Sequence, residues 1–488
     1  MRAELDRIFL DAMRQHQAGR LAEAEAGYRQ VLGRDPDHFP SLCEFGRLAF
    51  HLGRYDVARA LFGRAAALAP ADRLLRNNLA NAEEHCGAFD AALANQRRNL
   101  VEDPAFPEAW NSLGNVLKAT GRLDRAIAAY RRSAAAAPDY VAAVGNLGSA
   151  LHQAAEDAAA IAVTRRALAL LDDPELHHNL SHALLAAGQL AEGWREYEWR
   201  SRTAQHAPAW PQLPGRRWMG EGGQGGTLLV HAEQGLGDML QFCRYVPLAA
   251  ARGWRVVVEA DRLLIPLIGR LDGAADVVAR GDVLPAFDAY CPVMSLPGIF
   301  GTTLQTIPAA VPYLTADPDK AAAWRPRVAG RFRVGLAWAG NPALAADVRR
   351  SLAPDLLAPL LDLPGITWFS LQKDRVAPAG VVDLMADVAD FGDTAALVTN
   401  LDLVIAVDSA VAHLAGALGR PVWLLNRFDA EWRWLRDRDD SPWYPTLRQF
   451  RQTTPGDWPG VIARVRAELA RMGDPSSSHW QKDAFCSI

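Results

Sequence analysis

The sequence predicts two architectures in one chain: an all-α solenoid of stacked helical hairpins over residues 1–201, then an α/β region of parallel sheets. Three observations predict this. Proline, glycine and alanine recur with a shared 34-residue period through the first half. From Thr227 onward the pattern changes to short apolar runs alternating with helical stretches. Between the two lies 202–226 (RTAQHAPAWPQLPGRRWMGEGGQGG), rich in Pro and Gly and without an apolar period, as expected of a linker.

The repeat is carried by three residue types in phase. Prolines stand at Pro36, Pro70, Pro104 and Pro138, glycines at Gly19, Gly53, Gly87 and Gly121, and alanines at Ala24, Ala58, Ala92, Ala126 and Ala160. A helical period of 34 is that of the tetratricopeptide repeat (TPR). The glycine ends the first helix of a hairpin, where the turn needs a left-handed backbone. The alanine lets the second helix approach closely, and Tyr28, Phe62 and Tyr130, four residues later, share its face. Proline then stops the second helix. The fourth repeat is the most regular, with Trp110, Leu113 and Gly114. The fifth degenerates after Ala160, and 175–200 reads as a modified last hairpin, giving five to six repeats.

First helices of such hairpins line a concave surface suited to gripping a polypeptide. Asn78 and Asn146 are two periods apart on them, and Asn179 follows 33 residues later. A carboxamide can both donate to and accept from a peptide bond. The row resembles the asparagine ladder of eukaryotic protein O-GlcNAc transferase, which implies Asn78, Asn146 and Asn179 as acceptor-binding residues. The competing reading is a polar concave face that is merely solvated, and Ser112 interrupts the row.

Length and composition fit this division. A chain of 488 residues exceeds one hydrophobic core. Half the residues are apolar, and a net charge of −4 gives no electrostatic case for nucleic acid or an anionic membrane. Lysine occurs only at Lys118, Lys320, Lys373 and Lys482, so arginine is the default cation and a lone arginine says little about function. Five scattered cysteines without CxxC or Cys/His spacing argue for a reducing compartment and against structural zinc. The N-terminus, MRAELDRIFLDAMRQ, has no uninterrupted apolar stretch, and no run reaches membrane-spanning length. A cytoplasmic protein is expected.

In the second half, strands are expected at 227–232, 255–260, 276–279, 287–291, 332–339, 366–371, 403–407 and 421–425. Helical stretches between them predict parallel sheets with helices on both faces. A polar break near 315–325 separates two such blocks, 227–318 and 319–472, read as twin Rossmann-like domains facing a cleft. Ligands of such folds bind beyond the carboxyl ends of the strands. A closing helix is expected at 461–471, and a disordered tail at 473–488.

Two strand-to-helix junctions carry most of the chemistry. In HAEQGLGDMLQFCRY (231–245), Gly235 and Gly237 suggest a tight turn that sets Asp238 at the start of a helix. The plain alternative is an N-cap aspartate. In LDLVIAVDSAVAHLAGALGRPVWLL (401–425), Asp408 ends a strand, Ser409 can cap the next helix and His413 lies one turn in. Unpaired N–H groups and the positive end of a helix suit a diphosphate, to which Ser409 can add a hydroxyl donor.

Together these motifs resemble the heptosyltransferase-like family 9 glycosyltransferases. The further segments FCRY, VGLAWAGNP, RRS (349–351), FSLQ (369–372) and SPWYP (441–445) resemble bacterial TPR-fused glycosyltransferases, over 224–470. The resemblance implies a GT-B fold, a nucleotide sugar held mainly by the C-terminal domain, and Asp238 as catalytic base for inverting, metal-independent transfer. It implies a donor site at Gly237, Asp408, Ser409 and His413, with Arg350 or Arg433 as the cation for the leaving diphosphate. Gln372, ending a strand, is a candidate to read the base. Ala410 stands in place of the family's glycine, and its phosphate-binding lysine has no counterpart in NPALAADVRRS, so heptose is not implied. No DxD metal motif is apparent in the cleft segments and no cofactor is expected; the nucleotide sugar is a substrate. His231 and Glu233 are alternative acid/base candidates. Trp338, Trp368 and Trp423 read as core, whereas Trp432, Trp434, Trp443 and Tyr444 suit either a sugar pocket or packing. The expected function is sugar transfer to a hydroxyl of a protein held by the solenoid. By analogy with TPR-fused transferases, flagellin or another surface protein is a reasonable acceptor. The alternative is a scaffold whose second half binds a nucleotide sugar without catalysis.

Overall fold

The computed structural model describes residues 2–344 and 347–472; the tail expected to be disordered from 473 lies outside the described residues. The chain divides into two compact units between Leu180 and Ser181.

Twelve helices run in series: α1 (Arg2–Gln17), α2 (Leu21–Arg34), α3 (Phe39–His51), α4 (Tyr55–Leu68), α5 (Arg73–His85), α6 (Phe89–Glu102), α7 (Pro107–Ala119), α8 (Leu123–Ala136), α9 (Val141–Gln153), α10 (Asp157–Leu168), α11 (Pro174–Ala186) and α12 (Leu190–Tyr197). Gly19, Gly53, Gly87 and Gly121 turn the first four hairpins at φ between +71° and +75°. Ala155 must take the same conformation in the fifth (φ +62°), at a steric cost glycine would not bear. The five phased alanines are fully buried.

Hairpins close by matching a missing side chain with a large one. A Cβ on Gly46 would lie 2.5 Å from the Phe62 ring, and one on Gly114 would lie 2.5 Å from Tyr130. In the third repeat Ala80 replaces that glycine and Gln96 the aromatic residue, and the interior there is polar. Gln96 Nε2 donates to Asn77 Oδ1 at 2.9 Å, and buried Arg76 donates to Asn99 and Glu102. Arginines also prove periodic. Arg64, Arg98 and Arg166 donate to the carbonyls of Pro36, Pro70 and Pro138, closing the ends of helices one repeat earlier. At Pro104 the indole of Trp110 takes that carbonyl at 2.8 Å, and Arg132 stacks on Trp110 instead.

The second unit is built on two fully parallel sheets. The first has the order β1-β5-β2-β3-β4, with β1 (Arg216–Arg217), β2 (Thr227–His231), β3 (Arg255–Ala260), β4 (Ala274–Ala279) and β5 (Ala289–Pro292). The second has the order β11-β10-β9-β6-β7-β8, with β6 (Phe332–Ala337), β7 (Ile366–Ser370), β8 (Val381–Val382), β9 (Leu403–Val407), β10 (Val422–Asn426) and β11 (Leu447–Arg451). All eight expected strands are present. The two-residue edge strands β1 and β8 are too short to show a pattern, and β11 (LRQFR) is too polar. The closing helix runs from Trp458 to Met472.

Two expectations give way. Residues 202–226, expected to be a linker, carry β1, paired in parallel with β5, and Trp218, which is fully buried. Prolines and glycines there shape a strand edge rather than a tether. The solenoid was expected to extend to 201, yet the division falls inside α11, and α12 packs into the second unit. Trp194 meets Trp432 edge-on at 5.3 Å and donates its indole N–H to Thr302 O at 3.0 Å. That apolar face of α12 is buried by tertiary contacts invisible to a repeat pattern.

Candidate functional site

A cleft of about 900 Å³ opens at the carboxyl ends of both sheets. Its walls include the turn after β2, the ends of β6 and β7, the β9 junction and the segment after β10. Gly237, Asp238, Arg350, Gln372, Asp408, Ser409, His413 and Arg433 all line it, brought together from positions up to 196 residues apart.

Asp238 is the third residue of α13 (Leu236–Phe242), not its cap. Its Oδ2 accepts from Gly235 N–H at 2.7 Å, which ties down the helix start, and its Oδ1 pairs with Arg433 Nη2. Burial raises its pKa and Arg433 opposes that rise. The two glycines do not serve a strained turn: Gly235 has φ −77° and Gly237 lies within α13. Gly237 instead permits close approach, since a Cβ there would lie 2.9 Å from His413 Cδ2.

Arg433 is the centre of the charge array. It donates through Nε to Gln241 Oε1 at 2.6 Å, through Nη2 to Asp238 and through Nη1 to Glu431. Its guanidinium also sits 4.3 Å from the Trp432 ring centroid. A cation so committed is a poor candidate to receive a leaving diphosphate. Glu431 escaped the sequence reading, although it opens the EWRWL segment. Burial pushes its pKa up to about 7, against the pull of Arg433 and with Asp408 and Asp238 adding to the rise.

At the β9 junction Ser409 holds the N-cap position of helix Ala410–Ala417 without a side-chain capping bond. Its Oγ is buried and has no hydrogen-bond partner among the described residues, so the hydroxyl is unspent there. His413 stacks on Trp434 at 5.3 Å, its Nδ1 hydrogen-bonds Tyr444 OH at 2.9 Å, and its Nε2 stands 4.0 Å from Asp408. Burial lowers its pKa to about 3, so it is a neutral hydrogen-bonding group near pH 7.

Opposite, Gln372 Oε1 accepts from Ala339 N–H at 2.9 Å, so this oxygen shapes the end of β6. Arg350 packs over Gly340 and donates through Nε to Asp347 Oδ1 at 3.0 Å. Lys373, not singled out from the sequence, reaches the carbonyls of Met385 and Val388 from the same wall.

The alternative acid/base candidates do not line the cleft. Glu233 is sealed in a bidentate pair with the fully buried Arg200, at 2.7 and 2.8 Å. His231 is also fully buried, ringed by Trp210 and Tyr290. Trp432, Trp434, Trp443 and Tyr444 are at most 1% exposed, which resolves them as packing rather than pocket wall. Trp338, Trp368 and Trp423 are core, as expected.

In the first unit Asn78, Asn146 and Asn179 are each half-buried on α5, α9 and α11. Of these three, Asn146 joins a cluster with two asparagines that the row did not include. Asn146 Nδ2 donates to Asn111 Oδ1 at 2.9 Å and Asn115 Oδ1 at 3.3 Å, and Tyr130 OH donates to Asn115 at 2.8 Å. The 34-residue interval from Asn77 to Asn111, and from Asn81 to Asn115, is the signal that marks them. Among the described residues no helix is long and apolar enough to cross a membrane.

Residues 43–107 and 107–140 match the tetratricopeptide repeat family, whose repeats suggest protein partners. Over 326 residues the chain is 31% identical to Protein FlbA of Caulobacter vibrioides, an alignment taking in 59% of this chain. The chain covers 53% of FlbA, about half the length of that curated relative. Among solved structures it is similar to TTC0263, a thermophilic TPR protein in Thermus thermophilus (24% identity, TM-score 0.33), over 35% of this chain and 94% of that one. It is similar to MamA (22%, 0.30) over 35% of this chain and 93% of that one. YrrB, described as a TPR protein with an unusual peptide-binding site (20%, 0.28), is matched over 35% of this chain and 87% of its own. The chain therefore carries tetratricopeptide repeats ahead of a parallel-sheet α/β region.

Proposed function

We propose that the chain is a GT-B glycosyltransferase of the family 9 type, which moves a sugar from a nucleotide sugar to a hydroxyl of a protein bound by the repeats. One observation carries this reading: two motifs far apart in sequence converge on a single cleft at the carboxyl ends of two parallel sheets. The unspent Ser409 hydroxyl and the start of helix Ala410–Ala417 suit the diphosphate. Arg350 is then the better cation, because Arg433 is held between two carboxylates. The cleft carboxylates supply proton acceptance. The acceptor is a protein of the surface class, flagellin among them, and the reaction takes place in the cytoplasm.

The test pairs binding with chemistry. A rise in Tm with one of the UDP-, GDP-, ADP- or CMP-sugars identifies the donor. Intact masses of surface proteins should then lose a discrete glycan increment in cells carrying Asp238→Ala at unchanged protein level. No Tm response to any nucleotide sugar, with unchanged glycan masses on deleting the gene, would sink the proposal. A second reading is favoured by the saturation of Asp238, whose two oxygens are both engaged. On that reading the cleft binds a nucleotide sugar without catalysis. Glycan masses would then survive Asp238→Ala and disappear only on gene deletion.

A further inference from the structure

The third repeat departs from the fourth along α5, and the departure leaves hydrogen-bond acceptors without donors. In the fourth repeat Asn115 Oδ1 is filled twice, by Tyr130 OH at 2.8 Å and by Asn146 Nδ2 at 3.3 Å. One repeat earlier its counterpart is Asn81, and both donors have changed. Gln96 stands in the place of Tyr130 and donates to Asn77, while buried Ser112 stands in the place of Asn146. Asn81 Oδ1 is buried without a hydrogen-bond partner among the described residues. One turn along α5, Glu84 Oε2 is in the same condition. Acceptors left unfilled in this way cost stability that a donor from outside restores. Each residue as a whole is half-buried rather than sealed.

Aromatic rings stand beside this pair. Phe50 and Tyr55 have centroids 5.2 Å apart, and His85 lies 5.2 Å from Phe50 and 4.2 Å from Tyr55. His85 follows Glu84 directly, and its Nδ1 stands 3.1 Å from the Asn81 backbone oxygen. Phe50 holds on α3 the repeat position that Glu84 holds on α5 and Lys118 on α7. His85 is exposed, and Phe50 and Tyr55 are half-buried.

Two unfilled acceptors beside aromatic rings select among ligand chemistries. An anion is repelled by Glu84. A peptide N–H fills one acceptor and leaves the carboxylate charge unmatched. A guanidinium answers both acceptors with its planar fork of donors, and its face stacks on aromatic rings. His85 and Lys118 are basic groups that already act on Glu84, yet Oε2 stays unfilled.

We infer that the face of α5 around Asn81 and Glu84, flanked by Phe50, Tyr55 and His85, is a pocket for an arginine side chain of the polypeptide held by the repeats. The pocket rests on the reading above only in that the repeats have a protein ligand; it does not depend on the chemistry of the cleft.

The full-length protein should be panned against a phage-displayed library of random peptides. Wild type should enrich peptides with arginine at one fixed position. The best of these, synthesised, should bind at least about tenfold more weakly when citrulline replaces that arginine, since citrulline keeps the shape and loses the charge. Glu84→Gln, with its Tm checked, should bind the arginine and citrulline peptides alike, which completes a double-mutant cycle. Absence of enriched peptides, enrichment without arginine, or a citrulline penalty that persists in folded Glu84→Gln would overturn the inference. Should Glu84→Gln fail to fold, Asn81→Ala takes its place and should shrink the citrulline penalty; an unchanged penalty overturns the pocket. A cleft that binds no nucleotide sugar ends the transferase reading and leaves each of these outcomes as it is.

Discussion

The two units are stabilised on different length scales of sequence. In Met1–Leu180 the decisive contacts lie within one repeat length, as in Gly114 under Tyr130 or Arg98 on the Pro70 carbonyl. In the second unit they join distant segments, as when Arg433 reaches Gln241 or Arg244 donates to the Trp443 carbonyl at 2.7 Å. Short-range repetition tolerates a weak member, because each hairpin leans only on its neighbours. A long-range charge array has no such redundancy.

The strongest way to break this contrast is Arg200→Ala. Arg200 is fully buried and bonds Glu233, Glu198 and Ser295. Its loss strands a buried carboxylate, and we expect the second unit to lose about 3–5 kcal/mol. Urea denaturation followed by tryptophan fluorescence measures this cleanly, since Trp110 is the sole tryptophan before Ser181. A matching loss confined to far-UV helical signal would contradict the separation of the units.

Gly114→Ala tests the short-range side. The new methyl collides with Tyr130, and overpacking of this kind costs about 1–3 kcal/mol. Its effect should appear in the helical unfolding transition and leave tryptophan fluorescence almost untouched. Smallest is Ala155→Gly, which relieves a left-handed alanine and should stabilise the fifth hairpin by about 0.5–1 kcal/mol. A loss of stability would mean that the methyl is held by contacts worth more than its strain.

The same contrast explains what was legible in the sequence. The period exposed Gly19, Ala24 and their successors because each hairpin solves one steric problem in the same way. Hydrophobic runs exposed β2, β3, β6, β7, β9 and β10, whose faces are covered. The motif residues Asp238, Ser409 and His413 were legible because strand ends and helix starts leave local signatures. Partners were not. Nothing near Asp238 announces Arg433, because their proximity is created by two sheets facing each other. Nothing near Glu431 announces Asp408, because theirs is created by the pairing of β9 with β10. The linker was misread for a related reason: proline and glycine mark a turn-rich stretch but do not reveal that Trp218 within it is buried.

The commitment of α12 to the second unit constrains how this chain can change length. Duplication or loss of a whole 34-residue module between α2 and α9 leaves every neighbour of Trp194 in place, so the reach of the repeat array is open to gradual evolution. The final hairpin has no such licence. Removing α12 would bare Trp432 and release the Thr302 carbonyl, turning a change of length into a defect of the interior.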